Sequence, residues 1–271
     1  MNTSSIFGDR LNTPESQLSK EQFIALLKEV RQRGWVRSHR RRSNVGAVGN
    51  TLEDLLGIPE NNVPFANAGR WELKTRRRDS SSLITLFHLE PKPRNARMVT
   101  RVLLPLYGWP HAHIANEMSF RSTTSGNAYT DRGFTVSVDR EEHKVWFVFD
   151  SSRVALSHAG WLTSVRERVG LGPICPRPYW DFDDLEKKCA AKLANTVYVI
   201  ADRKVEEKTE YFRYNEAWML ESFSFEGFLQ CLEDGSLLVD FDARTGHNHG
   251  TKFRLRQDAW PKLYAKRTRV F

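Results

Sequence analysis

Lysine and arginine outnumber aspartate and glutamate by 41 to 33 in this chain of 271 residues, which gives a formal net charge of +8 at pH 7. This basic balance favours an acidic partner such as nucleic acid, and a hydrophobic content of 40% excludes a disordered basic tail.

The three cysteines, Cys175, Cys189 and Cys231, lack Cys-x-x-Cys spacing, so they indicate neither a disulfide framework nor a structural zinc site. Because a signal-peptide pattern and a run of about 18 apolar residues are both absent from the sequence, we expect a cytoplasmic protein with reduced core thiols and no membrane contact.

The N-terminal part of the sequence predicts a lead-in, two helices and two strands. Residues 1–20 are polar, and apolar residues at helical spacing predict a first helix over 19–33. A glycine-flanked helix is expected at about 50–56. Alternating apolar residues then predict strands at about 69–75 and 83–89.

The rest of the sequence mixes strands and helices without regular alternation. A charged turn joins two apolar runs, which predicts a hairpin of strands near 135–138 and 145–149. Further helices are expected at 157–169, 183–193 and 225–232, and further strands at 196–201, 211–219 and 236–242. The fold class predicted by this mixture is α/β (mixed α+β), with a mixed central sheet flanked by helices. Glycines and prolines in the connector 170–178 indicate a boundary between two lobes, 21–172 and 173–271.

Glu72 and Lys74 form a Glu-x-Lys pair inside the predicted strand at 69–75. Side chains of a strand alternate between two faces, so these two residues share one face while Trp71 and Leu73 point into the core. Such a pair can hold a divalent cation and a water molecule against a scissile phosphate. The alternative interpretation is an ordinary ion pair on the protein surface.

Three other blocks of sequence accompany this pair in order along the chain. A glycine-flanked segment spans residues 46–57, a serine-rich strand spans 80–88, and a histidine-containing loop lies within 242–254. Together with the Glu-x-Lys strand, these blocks resemble the MvaI/BcnI family of type II restriction endonucleases, relatives of the mismatch-repair nickase MutH in the PD-(D/E)XK nuclease superfamily. The resemblance runs from about residue 21 to the end.

The resemblance implies a sequence-specific endonuclease with a PD-(D/E)XK nuclease core, whose two lobes surround a DNA cleft. Residues 21–172 would form the catalytic lobe, and residues 173–271 would form the DNA-recognition lobe with its basic C-terminus. The enzyme would act as a monomer on double-stranded DNA at a short GC-rich site, with Mg²⁺ as cofactor and Mn²⁺ as a substitute. A cognate DNA methyltransferase is a candidate partner in the same restriction-modification system.

The same resemblance implies the catalytic residues. Glu72 would bind the metal, Lys74 would position or activate the attacking water, and Glu53 would correspond to an additional helix carboxylate of the MutH-like branch. Asn67 stands where the superfamily usually has an aspartate. The predicted metal ligands are therefore Glu72, Asn67 and Glu53.

Two of these assignments have alternatives in the sequence. An amide oxygen carries no charge, so Asn67 removes one anionic ligand, and Asp54 or Glu60 could replace it. Asn50 and Glu53 have the spacing of a capping box, which would give Glu53 a structural role at the start of a helix.

The segment from Gly246 to Gly250 is predicted to recognise DNA. His247-Asn248-His249 is not the site of the HNH nucleases, whose residues lie far apart in sequence, and a metal-binding His-x-His would need further ligands. Polar side chains between two glycines can instead reach base edges in the major groove; the alternative is a glycine-rich surface turn. The residues predicted to contact DNA in this region are Asp242, Arg244, His247, Asn248, His249, Lys252 and Arg254.

Further DNA contacts are predicted near the Glu-x-Lys strand. Arg76 belongs to an arginine run, Ser81 and Ser82 offer hydroxyl groups to phosphates, and His88 offers a groove contact. Isolated basic runs are usually solvated surface, and serine runs usually form turns. The pair of histidines in 111–113 has no evident third ligand and is interpreted as loop structure.

The function that the sequence predicts is site-specific hydrolysis of DNA phosphodiester bonds with Mg²⁺. One alternative is a DNA-binding module with a degenerate nuclease site, motivated by Asn67, and another is a MutH-like nickase that cuts a single strand. An RNA-binding or RNA-cleaving protein would share the basic charge, but the sequence contains no RNA-module signature.

Overall fold

The computed structural model describes residues 19–38, 46–58 and 71–271. The polar lead-in 1–18, Asn67 and its alternative Glu60 lie outside the described residues. The chain divides into two compact units, and both are discontinuous in sequence. The first unit contains Met1–Ser81, Ala190–Phe223 and Tyr264–Phe271, and the second contains Ser82–Cys189 and Ser224–Leu263.

These units differ from the two lobes expected from the sequence, which met at a single boundary after residue 172. The chain instead passes between the units at four places, none of them near residue 172, because strands distant in sequence pair with one another. The predicted hairpin belongs to the second unit and not to the unit that contains Glu72. The assignment of catalysis to one lobe and recognition to the other stays a prediction.

The five helices predicted from the sequence are present near their predicted positions, and two short α-helices, Leu104–Tyr107 and Trp260–Leu263, were not predicted. Short helical turns also occur at Arg94–Ala96, Met98–Leu103 and Leu156–His158. The α-helices are α1 (Lys20–Gln32), α2 (Ala47–Leu56), α3 (Leu104–Tyr107), α4 (Ala159–Val169), α5 (Phe182–Leu193), α6 (Phe225–Glu233) and α7 (Trp260–Leu263).

The strands form three sheets, whereas the sequence predicted one central sheet. The strands are β1 (Val36–Arg37), β2 (Glu72–Arg77), β3 (Ile84–His88), β4 (Trp109–Pro110), β5 (Met118–Thr124), β6 (Arg132–Asp139), β7 (Lys144–Val154), β8 (Tyr179–Asp181), β9 (Asn195–Glu206), β10 (Thr209–Phe223), β11 (Leu237–Arg244), β12 (His247–Asn248), β13 (Lys252–Leu255) and β14 (Tyr264–Arg269).

The sheet of the first unit is mixed, as predicted. Its order is β1-β10-β9-β2, with β14 also paired to β10. β2 and β9 are parallel, and the other pairs in this sheet are antiparallel. α1 begins with a capping box between Ser19 and Gln22, and its apolar side packs into a core that also contains residues of α2 and the sheet. Among these core residues are Phe23, Leu27, Val48, Leu52, Trp71, Leu73, Val197 and Met219.

The start of α2 corrects one interpretation of the sequence. The helix begins at Ala47, its N-cap is Gly46, and no side chain caps it. Asn50 therefore lies inside the helix, so the capping box between Asn50 and Glu53 is wrong. Apolar residues Ala47 and Val48 are buried and extend the helix by one turn beyond the predicted start.

The second unit contains two antiparallel sheets. One has the order β3-β13-β11-β5-β4, with β12 on β11, and the other has the order β6-β7-β8. Aromatic rings fill the core: Phe241 of β11 lies 5.5 Å from Phe120 and 4.6 Å from Phe147, measured between ring centroids. Burial of such rings is the main source of cohesion expected in a unit of this size.

No helix among the described residues is long and apolar enough to cross a membrane. Cys189 and Cys231 are buried free thiols, as expected. Cys175 is exposed, so the prediction of three core thiols is wrong at that position. It lies in the glycine- and proline-rich connector 170–178, where the chain has no regular element to bury it.

Candidate active site and nucleic-acid interface

Glu72 is a buried carboxylate held between two lysines. Its side chain is 4% exposed, its Oε1 lies 2.8 Å from Nζ of Lys74, and its Oε2 lies 3.8 Å from Nζ of Lys192. Both lysine side chains are only 17% exposed. A buried carboxylate is tolerated when cations compensate for its lost hydration. The alternative interpretation of the Glu-x-Lys pair as an ordinary surface ion pair is therefore wrong.

Lys192 is a member of this cluster that the sequence analysis missed. It lies in the last turn of α5, four residues before Thr196, and Thr196 is the Cα partner of Glu72 in the parallel pair of β2 and β9. The sequence did show a lysine at the end of a predicted helix, directly before a predicted buried strand, and this position could have marked Lys192 as a candidate. Its significance depends on the pairing of that strand with β2, which the sequence did not specify.

A second Glu-x-Lys pair shows that the spacing alone is not informative. Glu142 and Lys144 lie at the turn of the hairpin of β6 and β7, and their charged atoms are also 2.8 Å apart. The Glu142 side chain is 50% exposed. Burial, and not spacing or distance, therefore distinguishes Glu72 from a solvated ion pair.

One carboxylate oxygen of Glu72 has the chemistry of a metal ligand. Oε2 of Glu72 is buried and accepts no hydrogen bond from any residue that the structure describes, and carboxylate oxygens are the ligands that Mg²⁺ prefers. In residues 19–38, 46–58 and 71–271, no group of three or more His, Cys, Asp or Glu side chains could hold a metal ion. Glu72 thus fits one ligand position, while Asn67 lies outside the described residues.

Glu53 is carried by α2, which packs against β2. Gly49 allows the close approach, because a Cβ atom at this position would lie 3.1 Å from Oγ1 of Thr75. Glu53 is half-buried, whereas Asp54, one of the alternative ligands, is exposed. Glu53, Glu72 and Lys74 all belong to the first unit.

A charged face lies on the large sheet of the second unit. β11 runs between β5 and β13, and its alternation buries Val239, Phe241 and Ala243. Asp242 and Arg244 consequently point to the opposite face. We define the charged face as Glu117, Arg121, Asp240, Asp242, Arg244, Lys252 and Arg254.

Ion pairs connect the members of this charged face. Asp242 lies between two cations, with Oδ1 3.1 Å from Nε of Arg121 and Oδ2 3.0 Å from Nζ of Lys252. Arg244 donates to Glu117 over 2.7 Å, and a further pair joins Arg254 to Asp240 over 2.9 Å. Glu117 and Arg121 were not identified from the sequence, because their place beside β11 depends on the register of β5.

The electrostatics of the charged face keep Asp242 ionised. Burial alone would raise the pKa of the Asp242 carboxyl, but the hydrogen bond from Lys252 opposes it. The charges of Lys252, His249 and Arg121 act in the same direction as that hydrogen bond, so the pKa is lowered overall. Asp242 is therefore an acceptor of hydrogen bonds at neutral pH.

The loop from Gly246 to Gly250 is a short extension of this sheet. His247 and Asn248 form β12, and the rings of His247 and His249 are exposed and nearly parallel, with 6.4 Å between centroids. Asn248 is used within the loop: its Oδ1 accepts from the backbone N–H of Gly250 over 2.9 Å. Gly250 has a φ of +82°, and a Cβ there would lie 3.1 Å from the ring of His88.

The remaining predicted DNA contacts are distributed over both units. Arg76 is in β2, with its guanidinium 6.0 Å from the ring centroid of Tyr198. Ser81 and Ser82 are exposed in the segment before β3, and His88 is exposed at the end of β3. The first unit thus contains Glu53, Glu72, Lys74, Arg76 and Ser81, and the second contains Ser82, His88 and the predicted contacts of 242–254.

His111 and His113 lie in a loop, as the sequence predicted. Nδ1 of His111 accepts the backbone N–H groups of His113 and Ile114, both over 3.1 Å. This nitrogen is occupied by the loop itself.

The model of the MvaI/BcnI restriction endonuclease family matches residues 24–264. The chain belongs to this family. The resemblance predicted from the sequence is confirmed, since the match includes both the Glu72 strand and the charged face. Among curated proteins, none matches the chain.

Two solved structures are similar to this member of the MvaI/BcnI family. The complex of restriction endonuclease MvaI with its cognate DNA substrate is 23% identical, with a TM-score of 0.75 over 94% of this chain and 100% of that chain. MvaI in the absence of DNA is 22% identical, with a TM-score of 0.53 over 95% of this chain and 100% of that chain. These similarities show that the chain has the mixed α/β fold of MvaI.

Proposed function

We propose that the protein is a type II restriction endonuclease that hydrolyses phosphodiester bonds of double-stranded DNA at a specific site, with Mg²⁺ as cofactor. The observation that carries the proposal is the buried Glu72 carboxylate between Lys74 and Lys192. Family membership supports it. We also propose that the fold is a PD-(D/E)XK nuclease core and that the enzyme acts as a monomer in the cytoplasm.

The three charged side chains suit the chemistry of phosphodiester cleavage. Two lysines against one carboxylate leave a net positive charge, which attracts a phosphate and stabilises the negative charge that develops as water attacks phosphorus. Lys74 adjoins the carboxylate directly and would position the attacking water. Lys192 would neutralise charge on the phosphate.

The metal would be held by Glu72, with Glu53 and Asn67 as further ligands. When bound, Mg²⁺ would polarise the phosphoryl oxygens and lower the pKa of a coordinated water. Burial of Glu72 favours this role, since a carboxylate shielded from water keeps a fixed orientation towards its partners.

Site recognition is assigned to the charged face and the 246–250 loop. These provide carboxylates, guanidinium groups and imidazoles, which match the donors and acceptors of base edges in the major groove. Arg76, Ser81 and Ser82 would contact the phosphate backbone, which fixes position without reading sequence.

The proposal is tested by Glu72→Gln, with Glu142→Gln as the matched control. Both changes remove the charge of a Glu-x-Lys pair with the same 2.8 Å separation, but only Glu72 is buried. We expect Glu72→Gln to lower Mg²⁺-dependent cleavage of a sequenced plasmid by at least ~100-fold, while duplex binding persists. Glu142→Gln should cut like the wild type. Equal cleavage by the wild type and Glu72→Gln would contradict the proposed active site.

A second candidate function is a DNA-binding module with an inactive nuclease site. It is favoured by Asn67 at the position where the superfamily usually has an aspartate. The two functions are separated by Asn67→Asp, which adds an anionic ligand without changing side-chain size. A wild-type protein that binds duplex DNA without cutting it, and gains cleavage through Asn67→Asp, would be such a module. Release of nicked and not linear plasmid would instead indicate a MutH-like nickase.

A further inference from the structure

Arg121 is a member of the charged face that lies in β5. It is the Cα partner of Asp242 across the antiparallel pair of β5 and β11. The Arg121 side chain is 52% exposed, whereas the Lys252 side chain on the other side of Asp242 is 20% exposed. The two cations that bind one carboxylate thus differ sharply in their access to a ligand.

We propose that Arg121 and Asp242 together read one C·G base pair, and that Lys252 positions Asp242 instead of contacting a DNA phosphate. This inference rests on the proposed function, because it specifies how the charged face would select a site. It adds Arg121 to the predicted readers. It also gives a positioning role to Lys252, which the sequence predicted to contact DNA.

The geometry of Arg121 leaves its outer nitrogens available. Its Nε is the atom that faces Oδ1 of Asp242, and among the residues that the structure describes, Asp242 is the carboxylate within ion-pairing distance. Arginine has five N–H donors in a rigid fork, so both Nη groups remain for a ligand. A guanidinium presented in this way suits the O6 and N7 acceptors of guanine.

Asp242 supplies the complementary acceptor. An ionised carboxylate has about four acceptor positions, and Arg121 and Lys252 each occupy one oxygen from one side. The remaining positions can accept from the N4 amino group of cytosine, which is the donor of a C·G pair in the major groove. An arginine beside an aspartate therefore matches guanine beside cytosine.

Lys252 is poorly suited to a phosphate contact. Its ammonium group donates to Oδ2 of Asp242 over 3.0 Å, so its charge is largely neutralised by that carboxylate. The whole charged face has four cations against three carboxylates, whereas a backbone-binding surface needs cations without such partners. Holding Asp242 in one orientation is the function that remains for Lys252.

The test measures sequence selectivity separately from non-specific binding. Single-turnover cleavage is compared on the cognate duplex and on duplexes with each base pair replaced in turn, and binding to a duplex without the site is measured at several salt concentrations. The variants are Arg121→Met, Arg121→Lys and Lys252→Met. Arg140→Met is the control, because Arg140 is an ion-paired arginine of the same unit that pairs with Glu226 and Glu233.

We expect Arg121→Met to lose about 10-fold or more of the discrimination at one C·G position, with non-specific binding unchanged. Arg121→Lys keeps a cation beside Asp242 but lacks the fork, so it should lose the same discrimination while remaining folded in a thermal melt. Unchanged selectivity in both variants overturns the role of Arg121. Equal weakening on all sequences with a shallower salt dependence also overturns it, because that is the behaviour of a phosphate contact.

For Lys252→Met, slower cognate cleavage with an unchanged salt dependence of non-specific binding is expected. A salt slope reduced by about one, with all sequences weakened alike, would identify a phosphate contact and overturn the positioning role. Failure of the proposed function is distinguishable, because the wild type itself would then fail to cleave any duplex with Mg²⁺. In that case both the proposed function and the inference are wrong. If the wild type cleaves and the variants behave like the wild type, only the inference is wrong.

Discussion

Burial distinguishes the Glu72 side chain from an ordinary ion-paired glutamate on the surface, and this burial could not be predicted from the Glu-x-Lys pattern. The pattern Glu-x-Lys predicted the Glu72–Lys74 pair, and the observed separation agrees with it. Glu142 and Lys144 have the same pattern and the same separation on an exposed turn. The family resemblance distinguished Glu72 from Glu142, because it implied a metal-binding role for Glu72.

Lys192 provides the first prediction at the scale of single residues. If its charge stabilises the phosphate during cleavage, Lys192→Ala should reduce the cleavage rate by ~100-fold, the effect of removing one preorganised donor in an active site. Affinity for duplex DNA should change little, because many other cations contribute to it.

Lys187→Ala is the matched control for Lys192→Ala, since Lys187 is an exposed lysine of the same helix. Rates from single-turnover cleavage at saturating protein separate chemistry from binding. Comparable rates in the two variants would mean that Lys192 only balances the charge of Glu72.

Elements were predicted more reliably than their pairing. Runs of apolar residues indicated α1, α5 and α6 within a few residues, because amphipathic spacing directly reflects which side is buried. The parallel pairing of β2 with β9 and the position of β5 beside β11 were not predicted. Pairing depends on contacts between distant parts of the chain, and so the sequence missed Lys192, Glu117 and Arg121.

Two glycines in helices give a prediction at the scale of elements. Gly227 lies in α6, where a Cβ atom would stand 2.2 Å from the carbonyl oxygen of Lys262, whereas Gly160 in α4 has no atom within 4 Å of that position. Gly227→Ala should lower the free energy of unfolding by about 1–3 kcal/mol, because backbone must move. Gly160→Ala should leave it unchanged or raise it by up to about 1 kcal/mol.

Urea denaturation of the two variants beside the wild type measures this difference. The substitution is the same in both cases, so the comparison isolates the space around each glycine. A stable Gly227→Ala protein would show that α6 and α7 are farther apart than the structure places them.

At the scale of the whole molecule, long-range pairing also explains why the expected lobe boundary differed from the observed units. The sequence showed a flexible connector at 170–178, and such connectors often separate domains. The chain nevertheless continues in the second unit through Cys189 and returns to it at Ser224. β9 and β10 complete the sheet of the first unit, so their pairing with β2 and β14 decides the division.

The last prediction concerns the dependence of folding stability on pH. Several carboxyl groups have lowered pKa values, and at Asp202 the hydrogen bond from Arg213 is the main cause, opposed by burial and supported by Arg78. Hydrogen bonds from Lys92 and Lys20 act in the same way at Asp184 and Glu221.

A carboxyl group with a lowered pKa in the folded state stabilises that state above its ordinary pKa, and the stabilisation is lost as the pH falls through the folded value. The ordinary values are 3.8 for aspartate and 4.5 for glutamate. The contribution of these groups should therefore be constant from pH 7 to about 5 and decrease below that. Protonation also increases the positive charge of a chain that already has a net charge of +8, which adds self-repulsion in the compact state.

Asp202→Asn tests this linkage in one residue. Asp202 accepts hydrogen bonds from Arg78 over 3.0 Å, Arg213 over 2.8 Å and Asn215 over 2.7 Å, and the substitution removes its charge with little change in shape. We expect a loss of about 1 kcal/mol at pH 7, as for a partly exposed ion-pair network. The loss should shrink in urea denaturation as the pH falls below about 4, because Asp202 takes up a proton in the unfolded chain at a higher pH than in the folded wild type. A difference between the two proteins that stays constant down to pH 3 would mean that the Asp202 pKa is not lowered by folding.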